Sequence, residues 1–429
     1  MKKNKILSGK WILSNGKIYD PYKNKFLNGD ILLSNGKIES IGKIKDKNAK
    51  FINCKGKIIT SGFIDGRCYL RLPGSGYTET IDSGVSAAMA GGYTSVCLMP
   101  EESSPLDNPE IIQYVLDSFN ERPINIFPIG SISVGHKGSE IAEFGKMSNK
   151  GCIAFSDSFN CVENSQFLRY VYQYSQMYKK RIINHPQDRT MNPQGILNEG
   201  FLSTKLGLEG IPNSSESAIV FRDLAIAHEV GAKIHIPHIS AKESISIIKE
   251  FKKKGLDVTC EVTPHHIFLN ESEISEYNTN AKVCPPLRSE KDRVEIIKAI
   301  KSGIISCIST DHSPCSSEDK ERDIKHAPFG TIGLESAFSA TFTGLSEYGF
   351  KIEDVIKLFT LGPKEVFNLD VDLIKTGSKA NLTIIDPKER WTFSESDIHS
   401  KSNNSIMLGK ELLSKIIFTV SGKHAFGYF

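Results

Sequence analysis

The chain has 429 residues, 39% of them hydrophobic and 24% charged, enough to build a large core. Lysine plus arginine number 53 against 50 acids, a net charge of +3, which gives no electrostatic reason to expect a nucleic acid or an anionic membrane as partner. No apolar run reaches the roughly 18 residues of a spanning helix, and the first twenty residues lack the apolar stretch of a secretory signal. Nine cysteines without a CxxC pair read as reduced thiols in a cytosolic protein.

The first fifty-odd residues predict β structure. Ser14-Asn15-Gly16-Lys17-Ile18 recurs as Ser34-Asn35-Gly36-Lys37-Ile38, and each Asn-Gly sits between apolar runs as in a tight hairpin. The C-terminus returns to this pattern at 381–385 and 416–420. One small β domain built from both termini, residues 1–57 and 375–429, is therefore expected. Between them, at 58–374, eight short apolar runs alternate with other segments. They fall at 62–70, 94–100, 125–133, 152–158, 181–186, 232–240, 257–269 and 306–314. Several gaps are helical. Asn108 can cap a helix over 108–119 with Ile111, Ile112, Val115, Leu116 and Phe119 on one face, and helices at 217–230 and 242–254 stop at Gly231 and Gly255. Eight strands alternating with helices predict an α/β fold, a parallel (β/α)8 barrel of TIM type.

Such barrels carry chemistry at the carboxyl ends of their strands. Polar, metal-competent residues gather there: Asp157 on strand four, His185 on five, His238 on six, His265 and His266 on seven, Asp311 and His312 on eight. Five strand ends together point to an ancestral metal site. His136, His228, His235, His326, His399 and His424 match no motif and read as structural.

The segments GFID (62–65), LRLPG (70–74), AFSD (154–157), NEGFLSTKLGLEGIP (198–212), HIS (238–240), EVTPHH (261–266), PPLR (285–288), TDHSP (310–314) and APFGTIGLE (327–335) resemble those of the class I dihydroorotases of the amidohydrolase superfamily. The resemblance runs nearly the whole length. TDHSPC also looks like an allantoinase, but Asp157 at strand four resembles the dihydroorotases. The resemblance implies a zinc-dependent barrel that closes and opens the dihydroorotate ring in pyrimidine synthesis. It assigns the general base to Asp311, substrate contacts to Arg71, Phe329 and Gly330, and second-metal ligands to Asp157, His185 and His238.

The chain departs from that family where its chemistry is concentrated. Arg67 and Tyr69 stand at the two histidine positions of strand one that hold the first zinc. Alternate residues of a strand point the same way, so both face the barrel mouth and Cys68 faces away. A guanidinium has no lone pair to offer, and a phenol ionises near pH 10. Glu101, Cys284 and Cys315 replace an asparagine, an asparagine and a histidine of the family's substrate pocket. These changes predict a dihydroorotase-like protein with impaired or absent catalysis, with either one residual zinc or none. Arg67 is expected to stand in for the first metal as a structural cation against Asp311 and Asp157, with Glu101 as a second partner. Cys284 and Cys315 read as buried thiols more readily than as ligands, and loops after strand two and around 189–214 can cover the pocket. By the same resemblance the expected partners are aspartate carbamoyltransferase, a second copy of the chain, or both. The alternative is an active zinc amidohydrolase working from the residual site.

Overall fold

The computed structural model describes residues 3–74 and 76–428. Eight parallel strands form the middle of the chain: Phe63–Cys68, Tyr93–Leu98, Asn125–Pro128, Ala154–Phe155, Arg181–Ile182, Ile234–Ile236, Val258–Val262 and Cys307–Ile308. We number them one to eight. Ladders join one to three and four to eight. Two single bridges, Gly130 to Phe155 and Cys68 to His312, complete the ring. All eight predicted runs thus contain a barrel strand, several only two residues long, because the chain leaves the ladder early to place its strand ends.

The helices form for the reasons read in the sequence. Asn108 caps Pro109–Ser118 by accepting from Ile111 N at 3.0 Å, and buries Ile112 and Val115 against the barrel. The predicted 217–230 helix starts earlier, as Asn213–Val230, and ends at Gly231 in the left-handed region. Lys242–Lys253 follows strand six. The main core lies between barrel and helices and joins outward residues such as Val96, Ile234, Ile236, Cys260 and Val262 to helical Leu224 and Ile248.

Both termini meet in a seven-stranded sheet. Its order is Lys3–Ile6, His424–Gly427, Glu411–Ser421, Asn381–Thr392, Ile58–Ser61, Lys17–Asp20, Lys25–Leu27. A four-stranded sheet packs with it, ordered Lys37–Gly42, Asp30–Ser34, Lys10–Ser14, Lys50–Asn53. The two Asn-Gly repeats part company here. Asn35-Gly36 is a two-residue hairpin, with Ser34 opposite Lys37 and φ of 49° and 81°. Asn15-Gly16 is not a hairpin. It carries the chain from the smaller sheet to the larger, and Gly16 is needed because a Cβ there would lie 2.7 Å from Ile59. No helix among the described residues is long and apolar enough to cross a membrane.

Candidate functional site

Strand one turns Arg67 and Tyr69 into the barrel and Cys68 outward, into the core beneath the helices. Arg67 is 1% exposed. Its Nε donates to Asp311 Oδ1 at 2.9 Å, its Nη2 to the Tyr69 hydroxyl at 2.8 Å, and its Nη1 lies 3.6 Å from the Met99 sulfur. Burial opposes the guanidinium's charge, but the Asp311 and Glu261 carboxylates favour it and the group stays protonated. Burial pushes the Asp311 carboxyl up, and Arg67 pulls it back. Burial also drives the Tyr69 phenol far above its ordinary value, so it is no phenolate ligand. The side chains at the two first-metal positions therefore bond each other and the residue assigned as base.

The rest of the expected cation arrangement differs. Glu101 does not reach Arg67; it takes Arg71. Its carboxylate accepts the Arg71 backbone N–H at 2.9 Å and Nη1 at 2.7 Å, while Arg71 Nε and Nη2 donate to the Pro314 carbonyl and Nη2 also to Ser313 Oγ. Asp157 is not paired with Arg67 either. Its carboxylate accepts the backbone N–H groups of Ile132 and Ser133 at 2.8 and 2.9 Å and the Ser133 hydroxyl. Burial still raises its pKa to about 6.

The second-metal residues come together in part. His185 Nδ1 and His238 Nε2 lie 3.1 Å apart, and His185 Nε2 lies 3.2 Å from Gln187 Oε1. If Nε2 donates to Gln187, His185 Nδ1 accepts from His238, and His238 Nδ1 is left buried without a partner. Burial, reinforced by Arg67, holds His185 down to about 3 and His238 well below its ordinary value, so both are neutral. The Asp157 oxygens face the loop after strand three instead. Among the described residues, Asp157, His185 and His238 are not a group whose donor atoms lie within 4.8 Å of one another. These residues as arranged do not fit a dinuclear zinc centre: two donors are absent, a carboxylate is engaged elsewhere, and a cation fills the mouth.

Arg71, His238 and Asp311 have φ of 56°, 34° and 52°, a left-handed backbone that costs a non-glycine residue energy and re-aims its side chain at a strand end. Above them opens a cavity of about 480 Å³. Arg71, Gln187, Arg189, Cys284, Cys315 and Phe329 are among its lining, and both predicted covering loops contribute, through Glu102 and through Asn192, Pro193 and Gly195. Gly330 is held at φ 131°, where a Cβ would sit 3.0 Å from Ser313 Cβ, and the Lys282 ammonium lies over the adjacent Phe329 ring at 4.8 Å. Cys284 Sγ donates to Gln187 Oε1 at 3.0 Å, and burial pushes its thiol up to about 12; the Cys315 thiol is raised for the same reason. Neither is activated. His265 and His266 are buried, and His266 contacts Thr263 Oγ1 and the Pro286 carbonyl.

Gln187 and Met99, which meet the central histidine and arginine, were not singled out by sequence. Met99 could have been, as it precedes the Pro100-Glu101 step; Gln187 carried no signal beyond lying two residues past His185.

Residues 56–244 match the family model for dihydro-orotase-like proteins. A dihydroorotase of Caldicellulosiruptor saccharolyticus is 42% identical over 360 residues, covering 83% of this chain and 84% of its own. One from Trichlorobacter lovleyi is 39% identical over 365 residues, covering 85% and 86%, and one from Aquifex aeolicus 37% over 363, covering 84% and 86%. Among solved structures, the dihydropyrimidinase of Brevibacillus agri superposes with a TM-score of 0.82 at 18% identity, over 96% of this chain and 94% of that one. The L-hydantoinase of Arthrobacter aurescens gives 0.83 at 19%, over 95% and 94%. These two likenesses concern the fold alone. With the closed eight-stranded barrel and the relatives' extended identity, the chain belongs to the dihydroorotase-like family.

Proposed function

We propose that this chain is a dihydroorotase-like protein of pyrimidine biosynthesis whose hydrolytic centre is lost, and that it serves as a structural partner of aspartate carbamoyltransferase. The relatives named dihydroorotase support the place in metabolism. The observation that carries the loss is the buried Arg67–Asp311 pair. A general base must be free to take a proton from the attacking water, and here its carboxylate is bound to a permanent cation at 2.9 Å. Arg71, whose charge would hold a substrate carboxylate, is neutralised by Glu101. The scaffold role supplies a use for a fold kept at this length without its chemistry. It is supported by the resemblance, and self-association is an equal expectation.

A second reading, a cyclic amidohydrolase using one zinc, has in its favour the adjacency of His185 and His238 and the retained Asp311. The two separate on turnover. Purified chain supplied with zinc should neither open dihydroorotate nor close carbamoyl aspartate; rapid turnover of either would overturn the first reading. Mixing the chain with aspartate carbamoyltransferase of the same organism should give a co-migrating complex on size exclusion, and separate elution counts against the partnership.

A further inference from the structure

Deep in the barrel, below the mouth residues, lies a cluster that the reading above does not use. Neighbouring strands six, seven and eight contribute His235, Glu261 and Cys307, with Glu261 directly opposite Cys307 in the ladder. Their sequence neighbours Ile234, Ile236, Cys260, Val262 and Ile308 pack outward against the helices, so these three point to the barrel axis. All are buried, and one donor atom from each lies within 4.8 Å of the other two, the one such group of three among the described residues.

The donors are unlike and incompletely matched. His235 Nδ1 contacts Thr259 Oγ1 at 2.8 Å. Its Nε2 is buried, lies 3.3 Å from Glu261 Oε2, and makes no hydrogen bond in that direction. Ligands about 2.0 Å from a tetrahedral zinc sit about 3.3 Å from each other, so this spacing is that of two corners around one ion. Glu261 and Asp311 lie near one another, and Arg67 is the cation paired with Asp311.

We propose that His235, Glu261 and Cys307 form a single-ion site for a borderline-soft divalent cation, zinc above all, taken up as the barrel folds. Imidazole nitrogen, carboxylate oxygen and thiolate sulfur are the donors zinc accepts. Ligation replaces the Cys307 S–H proton, which leaves to solvent, and the Ser309 hydroxyl, which donates to Glu261 Oε2, holds the carboxylate in place. The position within the strands makes the ion structural, and it is independent of whether the mouth is active.

The test uses the full chain produced in cobalt-supplemented medium and dialysed against a chelator. One cobalt per chain should remain, with a thiolate-to-cobalt charge-transfer band in the near ultraviolet. Cys307→Ser should abolish the band and lower retained cobalt by about tenfold or more, whereas Cys284→Ser at the mouth should leave both. No retained cobalt, or a band that survives Cys307→Ser, overturns the proposal. Should Cys307→Ser fail to fold, X-ray absorption on the unaltered cobalt-loaded chain decides: one sulfur with nitrogen and oxygen scatterers supports the site, and a shell without sulfur overturns it.

Discussion

Glu101 and Arg71 close on each other through two contacts, the carboxylate accepting both the backbone N–H and Nη1 of the arginine at 2.9 and 2.7 Å. The place beside Arg71 that an incoming carboxylate would take is thus already held by a carboxylate of the chain. Glu101→Gln keeps the shape and removes the charge. Calorimetry should show carbamoyl aspartate binding about tenfold tighter, ~1.4 kcal/mol. Unchanged binding would show that Glu101 is not what occupies Arg71.

Arg67 and Asp311 are both buried, so removing one partner strands the other's charge. Arg67→Gln and Asp311→Asn should each destabilise the fold by about 3–5 kcal/mol in urea denaturation. The double variant should lose much less than the sum of the two. Additive losses would mean that the pair is not coupled.

Arg67→His with Tyr69→His replaces the cation and the phenol by two imidazoles on the same face of strand one. The double variant should take up more zinc at the mouth than the unaltered chain, measured by elemental analysis beside Cys307→Ser to discount the inner site. Equal zinc content would show that more than these two side chains excludes the metal.

Burial holds His266 down to about 4, against an ordinary 6.5. The unfolded chain takes up a proton near 6.5 that the folded chain refuses until about 4. The stability tied to neutral His266 is therefore complete above 6.5 and falls as the pH drops from 6.5 to 4, by up to ~3 kcal/mol. His266→Gln should flatten the fall of the urea midpoint across that window. A parallel profile in the variant would contradict the assignment.

Gly330 has φ 131° and no room for a Cβ beside Ser313. Gly330→Ala should cost about 1–3 kcal/mol from backbone strain. A melting temperature equal to that of the unaltered chain would show that the turn relaxes freely.

The sequence showed those features that depend on local pattern. Eight apolar runs, the Asn108 cap and the Gly231 stop are local, and Arg67 opposite Asp311 follows from the family's strand register. Contacts set by the packing of distant loops were not legible. Glu101 reached Arg71 rather than Arg67 because the left-handed backbone at Arg71 brings its N–H and guanidinium round to the loop after strand two. Asp157 turned to Ile132 and Ser133 because two backbone donors and a hydroxyl there satisfy its carboxylate. Asn15-Gly16 and Asn35-Gly36 carry the same letters, and only the partner strand separates a hairpin from a crossing. His235, Glu261 and Cys307 lie 26 and 46 residues apart in sequence, a spacing no short motif records.

The unusual main-chain turns at Arg71, His238 and Asp311 aim three side chains at the strand ends. Such turns cost energy and are held only where the whole surrounding frame fixes them. If the hydrolytic centre is lost as proposed, restoring it would require exchange of a handful of groups at the rim, with the frame that aims them already standing.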